Sequence, residues 1–362
     1  MTRWLAGWAA DRARKALLGR PEGERHLMFA VCDHFEPRHG QAPHDLAMAR
    51  VRAWRERFPA LASHFRDATG RGPRHTFFFP GDEYDARLVE PLAELVQAGH
   101  AEIEVHLHHD ADTRASLRGK LQRTLADLGG HGVVPWRSGR AAWAFIHGNW
   151  ALANGRPDRR WCGVDDELTL LGELGCYADF TFPSAPDPCQ PAIVNRIYYP
   201  RDDARRRAYD RADRMAPGRG AGADRVLLVE GPLALAKREP HRGLGLRLES
   251  GALDAGDPPS RARLGTWIDQ FVHVDGRPEW TFVKVHTHGA LEANARVLLG
   301  EPMADLHAAL GELASAGWRV HYVTAREMYN VARAAMDGMV GSPAAYVDYA
   351  IPPAARSRMQ PT

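Results

Sequence analysis

Residues 99–110 have the sequence GHAEIEVHLHHD, which combines a buried strand with a group of metal-binding side chains. Side chains alternate across a β-strand, so one face of this segment is apolar. The other face carries Glu102, Glu104, His106 and His108. Asp110 lies four residues after His106, the spacing at which two ligands meet if a helix begins where the strand ends. We therefore expect a strand that delivers ligands to a metal at its end.

Three further apolar runs end in polar side chains in the same way. Residues 280–289 (WTFVKVHTHG) end in His286 and His288, residues 27–37 (LMFAVCDHFEP) in Asp33, His34 and Glu36, and residues 143–150 (WAFIHGNW) in His147, Asn149 and Trp150. Polar residues collected at strand ends mark the active end of a parallel α/β barrel or open sheet. One such histidine is usually a core or surface residue, but four strand ends together favour a functional site.

Strand and helix patterns alternate along most of the chain. Predicted strands cover 27–33, 75–79, 102–107, 142–147, 177–182, 225–230, 281–286 and 319–323, and predicted helices cover 45–68, 85–98, 112–128, 165–174, 303–316 and 325–336. This alternation predicts parallel βα units, and eight strands fit a barrel.

The chain divides into three parts on the same grounds. We expect an N-terminal amphipathic helix over 1–25, a barrel over 26–330, and a C-terminal helix end with a proline-rich tail over 331–362. Loop-like insertions are expected within the barrel near 201–224 and 250–263, where glycine, proline and charged residues cluster.

Composition sets limits on function. The chain has 362 residues, of which 44% are hydrophobic and 25% charged, as in a globular protein. A net charge of +2 gives no electrostatic case for nucleic-acid binding. The four cysteines form no CxxC pair, which predicts free thiols in a reducing compartment. Neither a signal peptide nor an apolar run of about eighteen residues is apparent, so we expect a cytoplasmic protein without a transmembrane segment.

Two segments resemble a known family. Residues 75–81 (HTFFFPG) and 88–103 (LVEPLAELVQAGHAEI) are similar to the "ATFFVLG … LVRRIVEAGHEI" unit of the polysaccharide deacetylase superfamily, the NodB-homology carbohydrate esterases. Residues 165–183 (DDELTLLGELGCYADFTFP) resemble that family's "ETL … ELGFRYDSSIFP" segment. The resemblance spans about 26–330. It implies an α/β fold, a distorted (β/α) barrel of seven or eight mostly parallel strands. It also implies a divalent metal, with zinc expected, and hydrolytic removal of acyl groups, in particular N-acetyl groups, from a polysaccharide or amino sugar.

The metal motifs of the family map onto this chain with departures. The family's first motif has two aspartates, a general base and then a ligand, where this chain has Cys32, Asp33 and His34. Asp33 is then either the ligand, with no base at Cys32, or the base, with His34 in the ligand's place. In the second motif His106 matches the first histidine ligand, and either Asp110 or His108 takes the place of the second.

The resemblance also suggests the residues of catalysis. Either Asp33 or Glu36 would act as base, and His286 or His288 as the acid that protonates the leaving amine. The remaining polar residues of the strand ends and the following loops are expected to contact the sugar; they are His34, Asp82, Glu83, His147, Asn149 and Trp150. An N-cap for the next helix is an equal alternative for the loop that carries Asp82 and Glu83.

Three other functions fit parts of the pattern. Paired carboxylates such as Asp33 with Glu36, or Asp82 with Glu83, are typical of a metal-independent glycoside hydrolase. A catalytically silent carbohydrate-binding homologue is compatible with the missing second aspartate. An amidohydrolase with a His-x-His motif is a weaker alternative, since that family carries the motif on its first strand and here it lies near residue 106.

Overall fold

The computed structural model describes residues 3–201, 204–213, 224–238 and 245–354. Parts of the predicted insertion at 201–224 and of the predicted tail at 331–362 lie outside these ranges. The helices are α1 Arg3–Leu18, α2 His44–Ser63, α3 Ala86–Gln97, α4 Arg114–Gly130, α5 Glu167–Glu173, α6 Arg261–Asp269, α7 Glu292–Leu298, α8 Glu301–Glu312 and α9 Ala325–Met336. The strands are β1 Arg25–His34, β2 His75–Pro80, β3 Ala101–Leu107, β4 Trp136–Arg137, β5 Arg140–Ala141, β6 Trp143–His147, β7 Cys176–Asp179, β8 Ile197–Tyr198, β9 Leu227–Val229, β10 Ala234–Lys237, β11 Leu246–Glu249, β12 Ala252–Leu253, β13 Trp280–Thr287 and β14 Trp318–Tyr322.

Most strands join one mainly parallel sheet, as the alternating pattern predicts. Its hydrogen-bonded order is β12-β13-β1-β2-β3-β6-β7-β9-β8, and β14 pairs with β1 as well. Every pairing in this sheet is parallel except that of β8 with β9. The two ends of the order, β12 and β8, are not paired with each other in the described residues. The mixed α/β class is therefore confirmed, whereas closure into a barrel remains a prediction.

The two faces of the sheet pack against different layers. Leu27, Phe29 and Val31 of β1 join a core that includes Trp54 of α2 and Leu88 of α3. The alternate residues of β1, Met28, Ala30 and Cys32, join a second core with residues of β6, β7, β13 and α9. Since burying one large apolar side chain contributes about 1.5–3 kcal/mol, these two cores fix which face each strand residue occupies. The same alternation of side chains between the two faces decides which polar residues at the strand ends lie close to one another.

All eight predicted strands are present, with ends shifted by a few residues. The structure differs at 250–263, which was predicted as a loop but contains β12 and the start of α6. The Ser260 side chain accepts a hydrogen bond from the Arg263 amide and so caps α6. The two prolines directly before Ser260 indicate a loop, and the helix start was therefore not predicted. Helix α7 was also missed, because its 7 residues are too short for a clear helical period.

Helix α1 is attached to the body of the protein by polar contacts. The Trp8 indole donates to the side chain of Gln270 over 3.2 Å, and the Lys15 ammonium donates to the main-chain oxygens of Asn195 and Gln270 over 3.0 and 2.6 Å. Among the described residues, no helix has both the length and the apolar character needed to cross a bilayer. All four cysteines are buried and free, as predicted.

Candidate metal centre

The carboxyl ends of β1, β3 and β13 bring several histidines together. In the parallel pairing of β1 with β13, Cys32 lies opposite His286 and Asp33 opposite Thr287. His34 and His288 therefore leave their strands side by side, with ring centroids 4.9 Å apart. His106, at the end of β3, places its ring 5.1 Å from that of His34. Three segments distant in sequence thus supply imidazoles to one point.

Glu36 lies at the centre of these imidazoles. Its Oε1 atom is 3.3 Å from His106 Nε2, 3.7 Å from His108 Nε2 and 3.8 Å from His288 Nε2. Its Oε2 atom accepts a 2.8 Å hydrogen bond from His39 Nδ1. Three ring nitrogens surround one carboxylate oxygen, two of them at distances too long for hydrogen bonds. The carboxylate therefore lies among several potential metal ligands.

The orientation of His106 is fixed by the main chain. Its Nδ1 atom lies 3.0 Å from the Ile146 carbonyl oxygen, which can only accept, so Nδ1 carries a proton. In a neutral ring Nε2 then holds a lone pair, and this lone pair faces the Glu36 carboxylate. Two acceptors face each other at 3.3 Å, so either a second proton or a metal ion must lie between them. A histidine with Nδ1 held by a carbonyl is the usual arrangement of a metal ligand.

Burial and charge set the protonation of the site. Burial alone would raise the pKa of Glu36, but the hydrogen bond and charge of His106, with His39 and His288, lower that pKa to about 2. Burial lowers the pKa values of His34 and His286 well below the usual histidine value. Glu36 is therefore ionised and His34 neutral near pH 7, which are the forms that bind a divalent cation.

One ligand atom each from His34, Glu36 and His106 lie within 4.8 Å of one another, and all three residues are buried. Metal–nitrogen and metal–oxygen bonds of about 2.0 Å in a tetrahedron separate neighbouring ligand atoms by about 3.3 Å. The His106–Glu36 distance of 3.3 Å equals this separation. We refer to His34, Glu36 and His106 as the Glu36 centre; His288, 35% exposed, lies at its open side.

Asp33, expected as ligand or base, points away from the Glu36 centre. Its Oδ2 atom accepts from His75 Nε2 over 2.9 Å, and its Oδ1 atom accepts from the Gly289 amide over 2.6 Å. The reason is the alternation of side chains along β1. Asp33 lies on the face that carries Phe29 and Val31, which we call the outer face, whereas His34 lies on the opposite, inner face. Cys32 is excluded as a base, since burial raises its pKa to about 12.

Asp110, expected as an alternative ligand, is also outside this group. Its Oδ1 atom accepts from the amides of Ala111 and Trp161. The helical spacing from His106 does not apply, because α4 begins only at Arg114 with Thr113 as its N-cap. His108, the other alternative, does reach Glu36, with its Nε2 atom 3.7 Å from Oε1.

Asp82 holds His108 in place from the loop after β2. Its Oδ1 atom accepts from the His108 amide over 3.1 Å, and Oδ2 lies 3.3 Å from His108 Nδ1. Burial opposes protonation of His108, but Asp82 and Glu36 outweigh it and raise the His108 pKa. Asp82 is thus not the N-cap of the next helix, a role that Asp85 fills by accepting from the Arg87 amide. Burial raises the pKa of the neighbouring Glu83.

Three of the remaining predicted residues, His147, Asn149 and Trp150, lie at or beside a second buried group. His147 is fully buried beside His109, with ring centroids 4.6 Å apart, and its Nδ1 atom accepts from the Asn149 amide over 3.2 Å. Asn149 and Trp150 are half-buried in the loop that follows. His286 is half-buried at the end of β13, beside the Glu36 centre, and its ring centroid is 6.1 Å from that of His34.

Three features of the site were missed in the sequence. His39 follows Glu36 by three residues in a turn, and His75 opens β2 and bonds Asp33. The group of His109, Cys162 and Glu167 joins β3 to residues more than fifty positions later, which no local spacing reveals. The only local signal was the third histidine of residues 106–110. A scan of the chain against models of known protein families finds no match.

Proposed function

We propose that the protein is a metal-dependent hydrolase that removes acyl groups, N-acetyl groups in particular, from an amino sugar or polysaccharide. The observation that carries the proposal is the contact between Glu36 Oε1 and His106 Nε2, where two acceptors meet at 3.3 Å. A divalent cation bound between these two atoms would accept both lone pairs and so remove the repulsion. The resemblance of residues 75–103 to polysaccharide deacetylases supports the same reaction.

The donor set fits zinc. Two imidazoles and one carboxylate are the ligand types of catalytic zinc sites, which keep a fourth position open. His34, Glu36 and His106 would hold the ion, and His288 is near enough to close the set or to border the open position. When bound, such a cation lowers the pKa of a coordinated water and polarises a carbonyl group.

His108 is suited to move the proton. The Asp82 carboxylate accepts a hydrogen bond from Nδ1 of His108. The Nε2 atom of the neutral ring then faces the Glu36 centre and can act as a base. A histidine whose pKa is raised above its usual value takes up a proton readily near pH 7 and can return it to a leaving amine. His108 is 28% exposed, so solvent and substrate reach it. His286, with its strongly lowered pKa, is poorly suited to serve as the acid.

Interior contacts support the distorted barrel that the resemblance implies. Lys284 of β13 donates from Nζ to the main-chain oxygens of Phe180 and Phe182, both over 2.7 Å. These two residues follow β7, which is five positions from β13 in the sheet order, so the contact is one that a strongly curved sheet would make. A Cβ added to Gly231, just after β9, would lie 2.5 Å from the Lys284 carbonyl oxygen, which shows how closely the segment after β9 approaches β13.

A combined metal and activity measurement tests the proposal. One equivalent of metal in untagged protein and acetate release from N-acetylated oligosaccharides should both be lost in His106→Ala. The control is His64→Ala, an exposed histidine at the end of α2, which should keep both. Activity that survives complete removal of metal by a chelator would contradict the proposal. A metal-bound protein without turnover on any acylated sugar would indicate the binding homologue.

A metal-independent glycoside hydrolase is the second candidate, and one observation favours it. Burial raises the pKa of Glu83, whereas the neighbouring imidazoles bring the pKa of Glu36 to about 2. Two carboxyl groups with pKa values moved apart are the acid and base of glycosidases. In that case a chelator should leave glycosidic cleavage unchanged, and Glu83→Gln should abolish it.

A further inference from the structure

A second group of metal-binding side chains lies beside the Glu36 centre, around the loop between β6 and α5. It consists of His109 after β3, His147 at the end of β6, Cys162 in the loop, and Glu167 at the start of α5. Each offers one ligand atom, these atoms lie within 4.8 Å of one another, and all four residues are buried. We propose that these residues, the Cys162 group, form a structural zinc site that holds the loop 148–166.

The donors are matched to zinc. Two imidazoles, one thiolate and one carboxylate make a four-coordinate set of nitrogen, sulfur and oxygen. His109 Nε2 lies 3.1 Å from Glu167 Oε1, and Cys162 Sγ lies 3.3 Å from Glu167 Oε2. The His109–Glu167 separation is close to the roughly 3.3 Å expected between neighbouring ligands of a tetrahedral zinc ion, and the Cys162 contact is to the second oxygen of the same carboxylate.

The surroundings of the ligands also fit a metal. The Val164 amide donates to Cys162 Sγ over 3.4 Å, which holds the sulfur in position at the group. The Asp112 carboxylate lies 3.1 Å from His109 Nδ1, on the side of the ring away from the group. A carboxylate behind a histidine is the usual outer partner of a zinc ligand, because it orients the ring and makes it a stronger donor.

An unpartnered atom gives independent support. His147 is completely buried, and its Nε2 atom has no hydrogen-bond partner among the described residues. This atom is directed at the group, 4.0 Å from Glu167 Oε1. A buried polar atom without a partner needs an explanation, and a bound ion supplies one here, where three other ligand side chains lie around the atom. Binding at Nε2 moves the ring proton to Nδ1, so the 3.2 Å hydrogen bond from the Asn149 amide becomes a contact between two donors that the loop has to relieve.

The site would secure a loop whose backbone needs support. Five residues of the loop other than glycine have left-handed backbone angles, with φ from 48° to 68°; they are Trp150, Ala153, Asn154, Arg159 and Trp161. Such conformations persist only where the surroundings enforce them. His147 and Glu167 flank the loop, Cys162 lies within it, and Glu167 Oε2 also accepts from the Ala153 amide over 2.6 Å. One ion would therefore fix the loop at its start, middle and end.

Cobalt substitution of the full-length protein tests the site apart from any activity. A cobalt–thiolate bond gives a charge-transfer band in the near ultraviolet, which the Glu36 centre cannot give because it contains no sulfur. We expect this band in the wild type and in His106→Ala, and its loss in Cys162→Ser together with one equivalent of metal. Cys189→Ser, a buried cysteine outside the group, is the matched control.

Two further measurements keep the outcome decisive. If Cys162→Ser does not fold, Glu167→Gln replaces it, with the same expected loss of one metal equivalent. Trypsin should cleave at the exposed Arg159 and Arg160 faster in metal-depleted than in zinc-loaded protein. A cobalt-loaded wild type without the band, or Cys162→Ser with unchanged metal content, overturns the proposal; a proton on His109 then holds the group together. Because the band is independent of His106, its absence leaves the proposed function untouched.

Discussion

Replacement of Asp33 by asparagine separates a supporting role from metal ligation. The Asp33 carboxylate is fully buried and accepts hydrogen bonds from His75 Nε2 and from the Gly289 amide. Asparagine retains one oxygen, which can still accept from the Gly289 amide. Its NH₂ group then faces His75 Nε2, and one charge-assisted hydrogen bond, worth about 1.5–3 kcal/mol, is lost. We expect Asp33→Asn to lower the free energy of unfolding by about that amount.

Asp33→Ala removes both acceptors and should cost more. The His75 ring and the Gly289 amide would both be left buried without partners, and breaking a buried pair in this way costs about 3–5 kcal/mol. Urea unfolding followed by tryptophan fluorescence measures both variants. The exposed Asp305, which is on α8, provides the control Asp305→Asn, and it should be neutral.

Metal content decides what Asp33 does. Since both of its oxygens are engaged on the outer face of β1, Asp33→Asn should bind metal with wild-type stoichiometry. Its turnover should decrease only if the loss of the hydrogen bond moves Gly289 and, with it, His288. A variant that loses metal while its stability is unchanged would show that Asp33 is a ligand, and the assignment of the Glu36 centre would fail.

Three further predictions follow from the same geometry. His106→Ala should lose one equivalent of metal together with activity, whereas His286→Ala should keep the wild-type metal content, as metal analysis beside acetate release will show; wild-type metal content in both variants would exclude His106 as a ligand. Asp82 raises the pKa of His108, and the form of His108 that acts as a base is neutral, so activity should rise as pH increases through that pKa. Asp82→Asn should move this rise to lower pH. An unchanged pH–rate profile would show that His108 does not transfer the proton. Burial raises the Glu104 pKa from 4.5 to about 8, so this group favours folding below pH 4.5, and that contribution is lost as pH rises to about 8. Glu104→Gln should flatten that part of the stability profile in urea unfolding, and an equal slope in both proteins would refute the raised pKa.

The alternating pattern predicted the elements well because each has its own local signal. Residues 101–107 of β3 alternate without a break between apolar and polar side chains, residues 280–287 of β13 are rich in apolar and β-branched side chains, and α9 matches its predicted range of 325–336. These signals depend only on the period of side chains along a strand or helix. The strand ends that supply His34, His106 and His288 were found in the sequence for the same reason.

The grouping of the candidate ligands differs from the predicted set because it depends on which face of the strand each residue occupies and on the path of the loops. The motif of the resembling family suggested Asp33, yet the apolar residues before it place Asp33 outward and His34 inward. Asp110 was chosen for a helical spacing that the loop 108–113 does not adopt, and Ala111 there has a left-handed φ of 51°. The role of Glu36 rests on a turn after β1, whose direction no periodicity encodes.

Strand parity also explains why Asp33 matters without touching the centre. Gly289 follows His288 directly, and a Cβ added to it would lie 2.1 Å from Asp33 Oδ2 and 2.7 Å from the Trp54 ring. The Trp54 indole donates to the Gly289 carbonyl over 2.8 Å, so both polar groups of this residue's peptide backbone are held on the outer face of β1. His288, one residue earlier, is thereby aimed at Glu36 from the inner face. Neighbouring residues on opposite faces therefore have different roles on both strands. His34 and His288 face the Glu36 centre, while Asp33 and Gly289 fix the distance between β1 and the end of β13.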